Sequence, residues 1–233
     1  MNTYCIYTAQ HKPSVNGLKR CQKSAKVYGI DLIPYPSVHH TDMEAIQKKL
    51  GIKSKYTAVI GSSTYFDMRA APRGRIANGT THYMLYQQCV QLNEPIAILE
   101  HDAYFVAPFP KDLPENIDDA IIQISSHNVL QLTPNMMETC GRAVKMKKYG
   151  KTQKPYRDWS KESGVIPHPL SGTNGTSGYI IGPKAAQKMI DYITVDGLGF
   201  ADRLREDHIG EGNLYFQVPQ CVLCPNDIKS TRM

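Results

Sequence analysis

Residues 95–105 read PIAILEHDAYF, an apolar run that ends abruptly in two acids. The part up to Leu99 carries no polar side chain and predicts a buried strand. Glu100 and Asp102 follow at a spacing of two residues, directly after this strand. Because ligands of open α/β sheets bind beyond the carboxyl ends of the strands, this acidic break is the first candidate for a functional site.

The two carboxylates allow two interpretations. Removing acids from water is costly unless a cation pairs with them. A divalent ion that also binds a diphosphate would supply the cation, since hard oxygen ligands suit Mg²⁺ or Mn²⁺. Alternatively, the acids cap the next turn or pair with nearby arginines, and the spacing alone does not separate these possibilities.

Strand-like and helix-like segments alternate on both sides of this region. Short runs of β-branched and aromatic residues predict strands, and apolar residues three or four positions apart predict helices. The predicted strands besides 95–99 are Tyr4–Thr8, Asp31–Pro36, Tyr56–Ile60, Ala120–Ile124, Gly178–Ile181, Leu214–Val218 and Cys221–Leu223. The predicted helices are Asn16–Tyr28, Asp42–Leu50, Thr80–Leu92 and Pro183–Ile193. This alternation is typical of an α/β sheet with parallel strands.

The composition indicates a single globular domain. The chain has 233 residues, of which 41% are hydrophobic and 21% charged, so wholesale disorder is excluded. A single core can serve this length, because cores stop growing only near roughly 250 residues. No apolar run approaches the roughly 18 residues of a membrane span, and the N-terminus does not read as a secretory signal. We therefore expect one domain over residues 1–233 and a cytoplasmic location.

The positive charge is unevenly distributed. The net charge of +6 favours polyanionic partners such as nucleotides, phosphates or nucleic acid. Eight basic residues lie within 142–161 against one acid, Asp158, and the surrounding segment 128–169 has no convincing periodicity. Loops of this length in compact domains are usually functional, so we predict a basic loop inserted into the domain.

The basic loop bears on the partner of the protein. Cationic side chains interleaved with aromatic ones are used to bind phosphate backbones and to stack on bases. A solvated, lysine-rich loop is the plainer alternative. The residues of this loop that we predict to bind an acceptor are Lys145, Lys147, Lys148 and Trp159.

Cys221 and Cys224 form a CxxC pair, but no second Cys pair or His pair is present to complete a zinc site. The surrounding apolar sequence suits a buried strand. We therefore predict structural thiols that behave as small hydrophobic residues.

With these elements in place, residues 73–105 resemble the signature of glycosyltransferase family 25, which includes bacterial lipopolysaccharide galactosyltransferases and collagen galactosyltransferases. Gly74 and Ile76 match the start of the family's Gly-x-Ile-Gly-Cys block. The pair Thr81-His82 stands where the family has Ser-His, and Leu99-Glu100-His101-Asp102 matches its Leu-Glu-Asp-Asp motif.

Two later segments extend the resemblance over most of the chain. Residues 171–190, SGTNGTSGYIIGPKAAQKMI, are similar to the family's small-residue loop, strand and helix, and GFADRLREDH (199–208) resembles its late Asp element. The sequence departs from the family where Ala77-Asn78 replaces Gly-Cys and where His101 replaces the middle acid.

The resemblance implies a GT-A type, Rossmann-like fold, a single-domain mixed sheet flanked by helices. It also implies a nucleotide-sugar donor, expected to be a UDP-sugar, and a divalent cation held by the acidic motif. Asp102 would be the main metal ligand, with His208 as a possible second ligand. Glu100 would contact the ribose, the sugar or a metal-bound water.

The family resembles inverting transferases, which need a general base near the acceptor hydroxyl. Asp202 or Asp207 is the expected base, within an acidic cluster that includes Glu206. A solvated helix end is the alternative for this cluster.

Further residues are expected to bind the donor or the acceptor. His82 would bond a phosphate or orient Glu100, arginines before its helix would hold the diphosphate, and the Gly-Ser turn after strand 56–60 would approach the nucleotide. The donor candidates are Glu100, His82, Arg73, Arg69, Gly61 and Ser62, and the small-residue loop adds Thr173 and Asn174 as acceptor candidates.

Two acceptors are considered, a lipopolysaccharide or other glycan, and a hydroxymethylated base in DNA bound through the basic loop. A third possibility is a non-catalytic nucleic-acid or polyanion binder on the same fold.

Overall fold

A computed structural model describes residues 1–59, 70–126, 164–167, 177–199, 201, 206–210, 212–218 and 220–224. Within these ranges the chain forms a mixed β-sheet with helices on both faces, which confirms the predicted α/β class. No helix of the described ranges is both long enough and apolar enough to cross a membrane.

The elements of the described ranges follow the predicted alternation. The strands are β1 (Thr3–Tyr7), β2 (Leu32–Pro36), β3 (Thr57–Val59), β4 (Ala70–Pro72), β5 (Ile96–Glu100), β6 (Tyr104–Phe105), β7 (Ile121–Gln123), β8 (Ser125–Ser126), β9 (Gly164–Pro167), β10 (Gly178–Ile181), β11 (Leu214–Val218) and β12 (Val222–Leu223). The helices are α1 (Lys12–Val27), α2 (Met43–Leu50), α3 (Arg73–Leu92), α4 (Pro183–Asp196) and α5 (Glu206–Ile209), with one 3₁₀ turn at Ile117–Asp119.

The main sheet has the strand order β2-β1-β5-β10-β7-β11-β9. β1 pairs in parallel with both β2 and β5, and β7 pairs in parallel with β11. β10 is antiparallel to β5 and β7, and β9 is antiparallel to β11. The expectation of parallel strands is therefore confirmed for β2, β1, β5, β7 and β11 and is wrong for β10, whereas the mixed sheet that the family resemblance implies is confirmed.

Successive side chains of β5 point to opposite faces of the sheet and so belong to two different core layers. Ile96 and Ile98 pack into a cluster with α3 and α4, whereas Ala97 and Leu99 pack on the opposite face with α1. All four side chains are fully buried, and a buried Ile or Leu stabilises the fold by about 1.5–3 kcal/mol. The next residue on the α3 side is Glu100, so the strand aims this carboxylate at α3.

Helix α3 is longer than predicted, beginning at Arg73 rather than Thr80. Gly74 and Gly79 weaken the local helix propensity, which hides the first two turns from a propensity argument. The middle of α3 is buried on most sides, since it packs against the sheet, α2 and α4. This burial places His82 inside the protein.

The predicted basic loop contains a strand that the sequence did not reveal. β9 lies within residues 128–169 and pairs with β11 at an edge of the main sheet. The loop prediction is therefore wrong for Gly164–Pro167, because a short edge strand tolerates both Gly and Pro and shows no clear pattern. The remainder of the basic segment lies outside the described residues.

The Cys221 and Cys224 thiols are buried in the α1-side core, on either side of β12. Burial raises the pKa of the Cys221 thiol to about 12. Both observations confirm the interpretation as structural thiols.

Candidate functional site

The strand order reverses at β1, because β2 lies on one side of β1 and β5 lies on the other. From β1 the chain runs to β2 on one side, while β5 joins β1 on the other side. Ile6 is in register with Glu100, so the segments after both strands meet at the same edge. Such a switch point opens a crevice at the carboxyl ends of the strands, where α/β proteins bind ligands. The acidic segment 100–102 begins at the end of β5, on this edge of the sheet.

Hydroxyl groups that the sequence analysis missed line the β1 side of the crevice. The Ser14 Oγ accepts a hydrogen bond of 2.8 Å from the Thr8 backbone N–H, and the Thr8 and Ser37 hydroxyls are 3.1 Å apart. Thr8 follows β1, and Ser37 follows β2. A Thr or Ser directly after a predicted strand was the available signal, but only the strand order shows that these residues converge.

Two residues of α3 hold the Glu100 carboxylate. The Asn78 Nδ2 donates a 3.1 Å hydrogen bond to Oε1, and the His82 Nε2 lies 3.4 Å from the same oxygen. The two residues are four positions apart and so share one face of the helix. Glu100 has 21% of its side chain exposed, so it is anchored on one side and reaches the crevice on the other. Asn78, which departs from the family pattern, is thus part of the site.

A buried chain of hydrogen bonds orients His82 from behind. The His82 Nδ1 lies 2.7 Å from the Tyr179 hydroxyl, which donates to the Tyr86 hydroxyl at 3.2 Å. Each of the three side chains is at most 2% exposed. Because Tyr179 gives its proton to Tyr86, its oxygen accepts the N–H of His82 Nδ1.

The two phenols keep their protons at neutral pH. Burial raises the pKa of Tyr86 to about 12 and that of Tyr179 well above its ordinary value. Each hydroxyl therefore stays available as a hydrogen-bond donor behind the imidazole.

The second acid of the motif lies on a turn after β5. The Arg20 Nη2 donates a 3.0 Å hydrogen bond to the Asp102 backbone oxygen, which fixes this turn against α1. Burial lowers the pKa of His101, and the charges of His11 and Arg20 lower it further while Glu100 opposes them. Cys224 lies near Asp102. Burial raises the pKa of the Cys224 thiol, and the charge of the Asp102 carboxylate raises it further.

The donor set fits a magnesium-like or manganese-like ion. In the described residues no group of three His, Cys, Asp or Glu side chains could hold a metal by itself. Mg²⁺ is commonly bound by one or two carboxylates, with substrate phosphates and waters completing the shell. Glu100 and Asp102 are two carboxylates of this kind at and just after the end of β5, and the cation itself stays a prediction.

His82 and His208 line one cavity, of about 220 Å³, between α3 and α4. The His208 ring lies 4.0 Å from the Tyr192 ring. The prediction that His208 is a metal ligand stays a prediction.

Arg73 lies at the start of α3 and contacts the α2 region. Its Nη2 is 3.0 Å from the Glu44 carboxylate, and its Nε donates to the His40 backbone oxygen at 3.4 Å. These contacts order the β2–α2 connection near the crevice. Whether the remaining guanidinium face binds a diphosphate stays a prediction.

The other predicted site residues lie beyond what the structure describes. This holds for the whole residues Gly61, Ser62, Arg69, Lys145, Lys147, Lys148, Trp159, Thr173, Asn174 and Asp202. The backbone of Glu206 and Asp207 belongs to α5, but their side chains are not described.

The chain is similar to a known family of glycosyltransferases. Residues 54–198 match the model of glycosyltransferase family 25, described as an LPS biosynthesis protein. No significant match is found among curated proteins. Among solved structures, the apo form of mouse xyloside xylosyltransferase 1 is similar, with 12% identity, 97% coverage of each chain and a TM-score of 0.42.

The family match covers well over half of the chain and includes both α3 and the acidic segment after β5. The protein therefore belongs to glycosyltransferase family 25.

Proposed function

We propose that this glycosyltransferase moves a sugar from a UDP-sugar to an acceptor hydroxyl, with inversion at the anomeric carbon and with a divalent cation. The observation that carries the proposal is the position of Glu100 and Asp102 after β5, at the switch point beside β1. Nucleotides bind at such switch points in α/β sheets. The family membership supports the transferase chemistry.

Asp102 would hold the cation, with Glu100 beside it and His208 as a further candidate. The bound ion would neutralise charge on the departing diphosphate, Lewis-acid chemistry worth several kcal/mol. The turn that carries Asp102 is fixed by the Arg20 contact with its backbone oxygen. Such anchoring matters because a displaced ligand loses its geometry.

Glu100 would orient the ribose, the sugar or a metal-bound water. Its anchors, Asn78 and His82, restrict the carboxylate to one position. His82 in turn is held by Tyr179. A group that is fixed before the substrate binds costs no reorganisation during the reaction.

The general base would come from the segment around α5. We propose Asp202 or Asp207, with Glu206 in the same cluster, as the carboxylate that takes the proton of the acceptor hydroxyl. This proposal is supported by the neighbouring residues Ala201 and His208, which line the same cavity as His82.

The proposed acceptor is a glycan, as in lipopolysaccharide. The alternative acceptor, a hydroxymethylated base in DNA, was suggested by the basic segment 142–161. Both acceptors are arms of the experiment below.

The test is release of nucleoside diphosphate from a panel of nucleotide-sugars, with Mn²⁺, with Mg²⁺ and with EDTA. Each reaction is run alone, with glycan acceptors and with hydroxymethylated DNA. We expect turnover to require the metal and to be lost in Asp102→Asn, since the amide cannot replace the charged ligand.

Asp112→Asn is the matched control, because Asp112 is an exposed acid in a loop that lies ten residues after Asp102 and outside the motif. Circular dichroism establishes that both variants are folded. Near-normal, metal-dependent turnover by folded Asp102→Asn would show that the metal assignment is wrong.

A further inference from the structure

We propose that the cavity between α3 and α4 binds a sugar ring of the acceptor. This inference rests on the proposed function and specifies the acceptor half of the same site. This cavity is a space of about 220 Å³ that is lined by Gly79 and His82 of α3 and by Tyr192 of α4.

The walls of the cavity are held by backbone contacts. Residues 53–55 and 197–199 are joined by hydrogen bonds from Leu198 N–H to Lys53 O at 2.7 Å and from Lys55 N–H to Leu198 O at 2.9 Å. Helix α3 packs directly on this pair, since a Cβ on Gly79 would lie only 2.9 Å from the Gly199 oxygen. The cavity is therefore preformed, and binding would not have to order its walls.

The lining combines aromatic surfaces with polar groups. Three tyrosines and two histidines contribute, namely Tyr56, Tyr86, Tyr192, His82 and His208. A pyranose ring has a C–H face that packs on aromatic rings and an edge of hydroxyls that need hydrogen-bond partners. Tyrosine and histidine offer both, an apolar ring and a polar atom, in one side chain.

One polar atom at the cavity can take a further partner. The His82 Nε2 is buried and makes no hydrogen bond within the described residues beyond its 3.4 Å contact with Glu100. A buried nitrogen without a good hydrogen bond is costly. A substrate hydroxyl would satisfy it and would also link the cavity to the Glu100 carboxylate.

The size of the cavity suits one ring rather than a complete donor. Sites for drug-sized ligands usually occupy roughly 300–1,000 Å³, whereas this cavity has about 220 Å³. A nucleotide-sugar carries a base, a ribose, a diphosphate and a sugar, and would not fit. A single monosaccharide unit would fit, with the rest of the glycan outside.

The neighbouring segment favours the acceptor over the donor sugar. Ala201 and His208 both line the cavity, and the proposed general bases, Asp202 and Asp207, lie between them in the sequence. A general base has to be within hydrogen-bond reach of the attacking hydroxyl. Each proposed base is the sequence neighbour of a residue that lines the cavity, Asp202 of Ala201 and Asp207 of His208, which favours an acceptor ring here.

The rim of the cavity provides the test position. Lys55 and Asp196 form an ion pair of 2.7 Å at the surface. Hydrogen bonds from Lys55 and from the Tyr192 hydroxyl lower the pKa of the Asp196 carboxyl. Tyr192 is therefore placed at the opening, and truncating it removes an aromatic wall without emptying the core.

The experiment compares wild type with Tyr192→Ala, Tyr192→Phe and Lys55→Met. The control is Val195→Ala, a truncation of an 88% exposed side chain on the same helix. The probes are methyl glucoside, galactoside, mannoside and xyloside, together with hydroxymethylated DNA. Two rates are measured for each protein, hydrolysis of the donor without acceptor and transfer to the probe.

For Tyr192→Ala we expect the KM for the pyranoside to rise about tenfold, as lost ring packing of about 1.4 kcal/mol would cause. Donor hydrolysis should stay within about twofold of wild type, because the donor binds at the β1–β5 crevice. Tyr192→Phe and Val195→Ala should keep the wild-type KM within about twofold to threefold. If Tyr192→Ala does not fold, Lys55→Met decides, with a KM increase of about threefold expected.

An unchanged pyranoside KM in folded Tyr192→Ala would overturn the inference, as would an equal loss of hydrolysis and transfer. Wild-type transfer to DNA but to no pyranoside would also overturn it. Failure of the proposed function has a different signature, because the wild type would then hydrolyse no nucleotide-sugar with any metal.

Discussion

The most direct test of the buried chain behind Glu100 is the substitution Tyr179→Phe. The change removes one oxygen and leaves the ring in place. That oxygen bonds to the His82 Nδ1 at 2.7 Å and to the Tyr86 hydroxyl at 3.2 Å, in a region where every partner is at most 2% exposed. Water cannot enter to replace it without disrupting the packing.

The expected cost follows from counting these bonds. Each lost hydrogen bond costs about 1 kcal/mol, and a buried N–H left without an acceptor costs about 1–3 kcal/mol more. Tyr179→Phe breaks two bonds and leaves the His82 Nδ1–H without an acceptor, so we expect a loss of about 3–5 kcal/mol in the free energy of unfolding.

Tyr86→Phe is the matched control, because it removes the hydroxyl at the far end of the same chain. Only the 3.2 Å bond is lost, and the Tyr179 oxygen still accepts from His82. We expect a cost of about 1 kcal/mol. The two variants thus differ in the atom removed but not in the kind of substitution.

The assay is urea unfolding followed by far-UV circular dichroism. Both variants should lower the midpoint with an unchanged dependence of the free energy on urea, which marks a change in stability rather than in compactness. Equal losses for the two variants, within about 0.5 kcal/mol, would refute the conclusion that Tyr179 holds His82.

Two further predictions concern the frame of the fold. Gly182→Ala should lower Tm, since the added Cβ would overlap the backbone oxygens of Ile117 and Asp118. Such overpacking costs about 3 kcal/mol of stability. At about 2–4 °C per kcal/mol for a chain of this length, we expect Tm to fall by about 6–12 °C. Gly199→Ala is its control, as a Cβ there meets nothing within 4 Å, and calorimetry showing equal Tm values for the two variants would contradict the packing. The Lys188 ammonium, 2.8 Å away, lowers the pKa of Asp119 below its ordinary value of 3.8. The ionised pair should stabilise the fold by about 0.5–1 kcal/mol. This stabilisation is present in full above pH 3.8 and is lost as the pH falls through the lower pKa of the folded state. The stability gap between wild type and Asp119→Asn in urea should therefore close between pH 5 and pH 2.5, and a gap that does not change with pH would exclude this ion pair as its source.

The positions of the strands were predictable because their local patterns are strong. The apolar run 95–99 is a buried strand in the structure, and Gly178–Ile181 and Leu214–Val218 have the predicted bounds. Helix α2 also agrees, because Gly51 adopts the left-handed conformation that ends a helix. The first turns of α3 and the edge strand β9 were not predictable from sequence. Both contain Gly or Pro residues that disfavour regular structure locally, and packing against the rest of the fold stabilises them nonetheless.

The amino-acid sequence by itself determined the strand–helix alternation, the acidic break after β5 and the family signature. These are properties of residues close together in the chain, so hydrophobic periodicity and short motifs reveal them. Only the tertiary structure decided that Thr8 and Ser37 meet Glu100 at one edge, and that Tyr179 reaches His82 across 97 positions of the chain. Strand order brings these groups together, and because order depends on long-range pairing and on the packing of helices against both faces, no local pattern encodes it.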